Sequence, residues 1–85
     1  MSKGVYLTGV EISDGMFSGE RIVKVRDYLG ESCDGFFEDE MIVEGGLEVE
    51  VVGVESGLAF VKPSRGHEFM ERRGVIVDER LLRYN

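Results

Sequence analysis

Residues 47–62, "LEVEVVGVESGLAFVK", limit the possible folds more than any other stretch of the chain. They read as a β-hairpin around Glu55-Ser56-Gly57, with Gly57 in the left-handed position that closes a three-residue loop as a bulge. That register sets Val54 opposite Leu58, Val52 opposite Phe60 and Glu50 opposite Lys62, whereas a two-residue loop sets Val51 against Lys62. One face of the hairpin is then Val52, Val54, Leu58 and Phe60, and the other is Leu47, Val49, Val51, Ala59 and Val61. A hairpin with a single buried face needs only one apolar side. This one has two, so both must be covered, either by the chain itself or by a partner.

The chain supplies such cover as further short strands. Val and Ile number sixteen against six Leu, one Ala and no Gln, which favours strands over helices, and twelve glycines place turns at short intervals. Eighty-five residues make one domain, 1–85, with a single core and no room for a deep cavity. Residues 4–12 alternate as a half-buried strand. Residues 20–28 set Val23 and Val25 against a mostly polar face of Ile22, Lys24, Arg26 and Tyr28. After Pro63, Ser64 as N-cap, Arg72 and Arg73 in a last turn and Gly74 as a stop predict a short helix over 64–73, followed by a strand from Val75 to Asp78. The expected fold is mainly β: a five- to six-stranded antiparallel barrel of SH3-like or OB-like type, or a sheet with that helix on one face.

An internal repeat runs through the first half. Residues 11–23, "EISDGMFSGERIV", align without gaps on 31–43, "ESCDGFFEDEMIV", and match at seven of thirteen positions. The shared unit is an Asp-Gly turn, an aromatic two residues later and a strand opening on Glu-x-Ile-Val. Two copies are too few for a solenoid, so the expectation is two equivalent turn-and-strand corners in one small sheet or barrel.

Charge is also distributed in blocks. Between Arg26 and Lys62 lie ten carboxylates and no Lys or Arg, while the flanking segments are net basic, so the whole deficit of −7 arises in the middle. Self-repulsion among that many acids points to a basic partner, in the manner of regulators that imitate a phosphate array; protection of sheet edges and solubility are the plainer reasons for acids there. The predicted contacts are Glu38, Asp39, Glu40, Glu48 and Glu50, with Phe36 or Phe37 as an apolar anchor and the other of the two in the core.

Chemistry beyond binding has little support. Cys33 is the only cysteine, so no internal disulfide or thiolate cage forms, and Glu31 and Asp34 beside it raise its pKa and quiet it as a nucleophile for a dyad with His67. Neither Asp14 nor Asp34 opens a calcium loop, and no Gly-rich phosphate loop occurs, so no metal, cofactor or catalytic residue is expected. Arg65, Arg72, Arg73, Arg80 and Arg83, interleaved with His67, Phe69 and Tyr84, suit nucleic acid, but the net charge opposes a polyanion. Self-association through Val52, Val54, Leu58 and Phe60 is a further alternative. No apolar run is long enough to span a membrane, and "MSKGVYLTGVEIS" lacks the apolar core of a signal peptide, so the expected location is the cytoplasm.

Overall fold

The computed structural model describes residues 4–85. In chain order the strands are β1 (Val5–Leu7), β2 (Glu11–Asp14), β3 (Glu20–Arg26), β4 (Ser32–Glu38), β5 (Ile42–Val43), β6 (Gly46–Glu55), β7 (Leu58–Pro63), β8 (Val75–Asp78) and β9 (Leu82–Tyr84). Single 3₁₀ turns at Asp39–Met41 and Glu79–Leu81 join β4 to β5 and β8 to β9. The protein is mainly β, with 59% of the described residues in strands or bridges and 7% helical.

The strands form two antiparallel sheets. One has the order β8-β7-β6-β1-β9, with β5 paired to the start of β6; the other is the meander β2-β3-β4. The ten residues of β6 span the first sheet, meeting β1 and β5 at the N-terminal half and β7 at the C-terminal half. Backbone bonds stitch the two sheets together: Tyr28 N–H donates to Ile76 of β8 (2.9 Å), and Met70 N–H, from the β7–β8 connection, donates to Asp34 of β4 (2.8 Å). Among the described residues no strand pairing closes the two sheets into a barrel.

Residues 4–12 do not make one strand. The chain leaves β1 after Leu7, bends through Gly9 at φ 74° and enters the other sheet as β2. That left-handed φ costs a side-chain-bearing residue about 1–2 kcal/mol, so glycine is what permits the change of sheet. The alternation in β3 is as expected: Val23 and Val25 are fully buried, while Lys24 and Arg26 face solvent.

The hairpin at β6–β7 reconciles the two registers that the sequence allows. The loop has two residues, Ser56 (φ 54°) and Gly57 (φ 80°), so Glu55 faces Leu58, and the three-residue loop is not formed. A bulge between Val51 and Gly53 then absorbs one residue, and Glu50 still lies opposite Lys62. Leu47, Val49, Ala59 and Val61 enter the core as one face, with Val51 packed against it.

No helix forms over 64–73. Arg65 (φ 61°), Gly66 (φ 74°) and Glu71 (φ 67°) all take left-handed conformations, and the segment is an irregular loop closed by a bridge between Phe69 and Arg72. Phe69 and Met70 are its only large apolar residues, so a helix here lacks the i, i+3, i+4 stripe that would dock it. The loop instead inserts Phe69 alone into the core, edge-on to Phe37 with ring centroids 5.7 Å apart.

The two halves of the 20-residue repeat are not structurally equivalent. Asp14 ends a strand before a turn, whereas Asp34 and Gly35 lie inside β4, opposite Lys24 and Val23. Phe17 is exposed and Phe37 is buried. Continuous pairing of β4 with β3 overrides the local Asp-Gly turn preference. A different echo exists at a spacing of 40 residues: Glu38-Asp39-Glu40-Met41-Ile42 and Asp78-Glu79-Arg80-Leu81-Leu82 each carry a strand through a 3₁₀ turn into the next strand.

Candidate functional site

The acidic block is divided among several partners. Arg72 donates to Asp27 (3.2 Å) and Glu31 (3.1 Å), Arg21 to Asp39 (3.0 Å), and Arg65 lies 3.2 Å from Glu48. His67 Nε2 stands 3.2 Å from Glu38 Oε1, and Lys62 lies opposite Glu50 across the β6–β7 pair. Six of the ten acids, Asp34 opposite Lys24 included, thus have a Lys or Arg beside or opposite them and Glu38 has His67, all drawn from the segments that flank the block in sequence. A block in sequence is not a patch in space.

The predicted acidic contacts spread accordingly. Glu38, Asp39 and Glu40 cluster at the end of β4 and its 3₁₀ turn, whereas Glu48 and Glu50 lie on β6. Glu48 is the least available of the five, with its side chain 21% exposed and engaged by Arg65. Of the two candidate anchors, Phe37 is the core residue at 1% exposure and Phe36 is the surface residue at 40%, opposite Ile22 on the outer face of the meander.

The candidate basic surface is largely spent internally. Arg65 and Arg72 are paired as above, and Arg80 folds back on Asp78 at 2.8 Å. Arg83 donates to the carbonyls of Val43 and Glu44 and lies over the Tyr6 ring, pinning the β5–β6 turn. Arg73 makes no ion pair among the described residues.

Asp27 and Asp78 are the carboxyls most altered by their surroundings. Burial pushes Asp27 up, but the hydrogen bond from Arg72 and those from the Glu31 and Leu29 amides outweigh it and hold the group below its ordinary value. Arg80, through its guanidinium and its backbone N–H, holds Asp78 down at about 2. Burial pushes the Cys33 thiol up; Arg72 opposes this, and Asp34 and Asp27 add to it. Cys33 and His67 do not meet. His67 lies against Glu38 at the far end of β4, five residues or roughly 16 Å along the strand from Cys33. Among the described residues no group of three or more His, Cys, Asp or Glu is placed to hold a metal ion.

The surface that departs most from an ordinary solvated sheet is the outer side of β6–β7–β8. Gly53, Phe60 and Ile76 form one cross-strand row there, and the next row toward the hairpin tip is Glu55, Leu58 and Asp78. These residues and Val54 line an open groove of about 440 Å³. Val52, Val54, Phe60 and Ile76 are 56%, 48%, 40% and 39% exposed. Leu58 and Phe60 share this face as expected, but the expected pairings of Val54 with Leu58 and of Val52 with Phe60 are not formed: the bulge sets Gly53 opposite Phe60 and Val54 opposite the buried Ala59. Ile76 was not legible in the sequence, because its place beside Phe60 depends on long-range pairing of β7 with β8.

Comparison with protein-family models, curated proteins and solved structures finds no match. Among the described residues no helix is long and apolar enough to cross a membrane.

Proposed function

We propose that the protein is a non-catalytic binding module, a small regulator or inhibitor that docks on a partner protein with a basic surface. The observation that carries this reading is the charge left over after folding. Ten of the seventeen carboxylates make no ion pair among the described residues, against five of the nine described Lys and Arg side chains. Glu40, Glu44 and Glu55 belong to this surplus and lie exposed, Glu40 in the 3₁₀ turn after β4 and Glu44 and Glu55 at the two ends of β6, roughly 30 Å apart along the strand. Charge spread in this way steers a basic partner toward the protein and raises the association rate more than the final affinity.

In this reading the two sheets make a half-open small barrel of the SH3-like or OB-like kind, acting in the cytoplasm. Nucleic-acid binding through the arginines is the weaker alternative, because Arg65, Arg72, Arg80 and Arg83 are committed to internal partners. The test is capture of the partner from the native host, its identification by mass spectrometry, and measurement of association against salt. A basic partner whose on-rate falls as salt rises supports the reading. A partner indifferent to salt, or tight binding to a DNA or RNA probe at low salt, overturns it.

A further inference from the structure

We propose that the groove on the outer side of β6–β7–β8 is the contact point itself, and that it seats a large apolar side chain of an extended partner segment carrying Lys or Arg next to that side chain. The inference rests on the binding reading above and adds to it a place and a chemistry.

The groove exists because of the bulge. Absorbing one residue between Val51 and Gly53 puts Gly53 opposite Phe60, so the row that contains Phe60 and Ile76 has no side chain on β6. A Cβ at Gly53 meets nothing within 4 Å, so the missing side chain leaves a gap beside Phe60 that the protein does not fill. On the opposite face of the same strands Ala59, Val61, Val75 and Val77 are buried in the core. The solvent side of a two-layer β protein is normally polar, and an apolar depression there marks a place where something is bound.

The rim identifies the occupant. At the hairpin end Leu58 lies between Glu55 and Asp78, and Glu79 N–H donates to the Gly57 carbonyl (2.9 Å), which brings a third acid to the turn. Arg80 neutralises Asp78 and leaves Glu55 and Glu79 without an ion pair among the described residues. At the other end Glu50 lies opposite Lys62, so that end carries no net charge. The groove is therefore apolar in its floor and negative at one end, complementary to an apolar side chain followed by a cation. A second copy of the chain is a poor fit: a twofold contact through this face brings together two molecules each of net charge −7, and neither copy offers a cation to the acidic rim of the other beyond a Lys62 that already faces Glu50 and an Arg80 that already pairs with Asp78. An anionic lipid surface is repelled for the same reason.

The test is a titration of the full chain, followed by amide NMR, with three synthetic heptapeptides: one with a central Leu between Lys and Arg, one with that Leu between Glu residues, and one with Ser in place of the Leu between Lys and Arg. The Lys-Leu-Arg peptide is expected to shift Gly53, Val54, Glu55, Leu58, Phe60 and Ile76 and to bind about tenfold more tightly than the Ser peptide, the difference made by burying one large side chain. A Cβ at Gly53 stands in open space, so Gly53→Val is expected to fill the gap and lower that affinity about tenfold with thermal stability retained. Glu55→Gln is expected to lower it roughly two- to fivefold at low salt.

Equal affinity for the Glu-flanked peptide overturns the assignment, as does binding unchanged in Gly53→Val or an absence of shifts with all three. Shifts confined to Glu38, Asp39 and Glu40 overturn the groove but leave the basic-partner reading standing. Shifts of the groove residues that depend on protein concentration without peptide make a second copy the occupant and also overturn the proposal.

Discussion

Arg72 reaches from the β7–β8 connection to the β3–β4 turn and donates to Asp27 Oδ2 at 3.2 Å, tying a loop of one sheet to a turn of the other. Asp27 Oδ1 meanwhile accepts from the amides of Leu29 and Glu31, both at 2.9 Å, so one carboxylate organises the turn and receives the clamp. Its folded pKa lies below the unfolded value, so its contribution to stability is complete above the ordinary carboxylate range and is lost as pH falls through the folded pKa. Asp27→Asn is therefore expected to lower the unfolding temperature at pH 7, and the difference from wild type to shrink as pH falls below about 4. Asp27→Asn is expected to cost more than Glu31→Gln, whose side chain accepts only from Arg72. Thermal unfolding followed by circular dichroism across pH checks both statements; a difference that stays constant down to pH 2 contradicts the linkage.

The Asp78–Arg80 pair holds a second carboxyl well below the ordinary range. Asp78 is held at about 2, so its contribution is intact at pH 4 and disappears only as pH approaches 2. Asp78→Ala is expected to lose the cap on the Arg80 N–H and to destabilise the second 3₁₀ turn at every pH above that window. The signature is local: faster amide exchange at Arg80 and Leu81, with β3 and β4 unchanged.

Phe36 and Phe37 are adjacent in sequence and opposite in role. Phe37→Ala removes a buried ring that packs on Phe69 and is expected to cost about 3–5 kcal/mol, enough to unfold much of a small domain. Phe36→Ala is expected to stay within about 1 kcal/mol, since its ring is partly solvated. Urea denaturation distinguishes the two; similar losses would place both rings in the core.

This pair also marks how far sequence reasoning reaches. Alternation shows that one Phe faces in and one faces out, and it sorts Val23 and Val25 from Lys24 and Arg26 correctly. It does not say which sheet a strand joins, because that depends on breaks such as Gly9, where a continuous alternating pattern is split between two sheets. The helix expected over 64–73 rested on end signals without an apolar stripe between them, and ends alone do not dock a helix. The repeat rested on identities whose backbone settings differ: Asp34-Gly35 is held straight by pairing with β3, a non-local constraint that the dipeptide does not record. The acidic stretch was legible as composition but not as surface, because its neutralising cations come from up to 45 residues away. Of the groove, Leu58 and Phe60 were visible in the pattern, whereas the pairing expected for Val52 and Val54 is replaced by Gly53 opposite Phe60 and Val54 opposite Ala59. The gap at Gly53 was not visible, since it arises from the bulge that reconciles turn and register.

The hairpin tip supplies a stabilising change. Ser56 holds φ 54° without being glycine, next to Gly57 at φ 80°, the pattern of a two-residue turn that Asn-Gly fits best. Ser56→Asn is expected to raise stability by about 0.5–1 kcal/mol, and Gly57→Val to lower it by about 1–2 kcal/mol. Because the tip lies beside the Glu79 amide, the Ser56→Asn variant should leave the β8 amides unshifted. A loss of stability on Ser56→Asn would mean that the turn is not of this type in solution.

The surplus carboxylates set binding against stability. Glu40, Glu44 and Glu55 are exposed and make no ion pair among the described residues, so they add to the self-repulsion of a chain of net charge −7. Converting all three to Gln is expected to raise the unfolding temperature at low salt, and the gain to fade as salt shortens the Debye length to about 3 Å at 1 M. The same triple variant is expected to associate more slowly with a basic partner while dissociating at a similar rate, because dispersed charge acts on the encounter. Thermal melts at two salt concentrations and stopped-flow association measure the two sides. A triple variant that is more stable and associates as fast as wild type would show that these acids serve solubility alone.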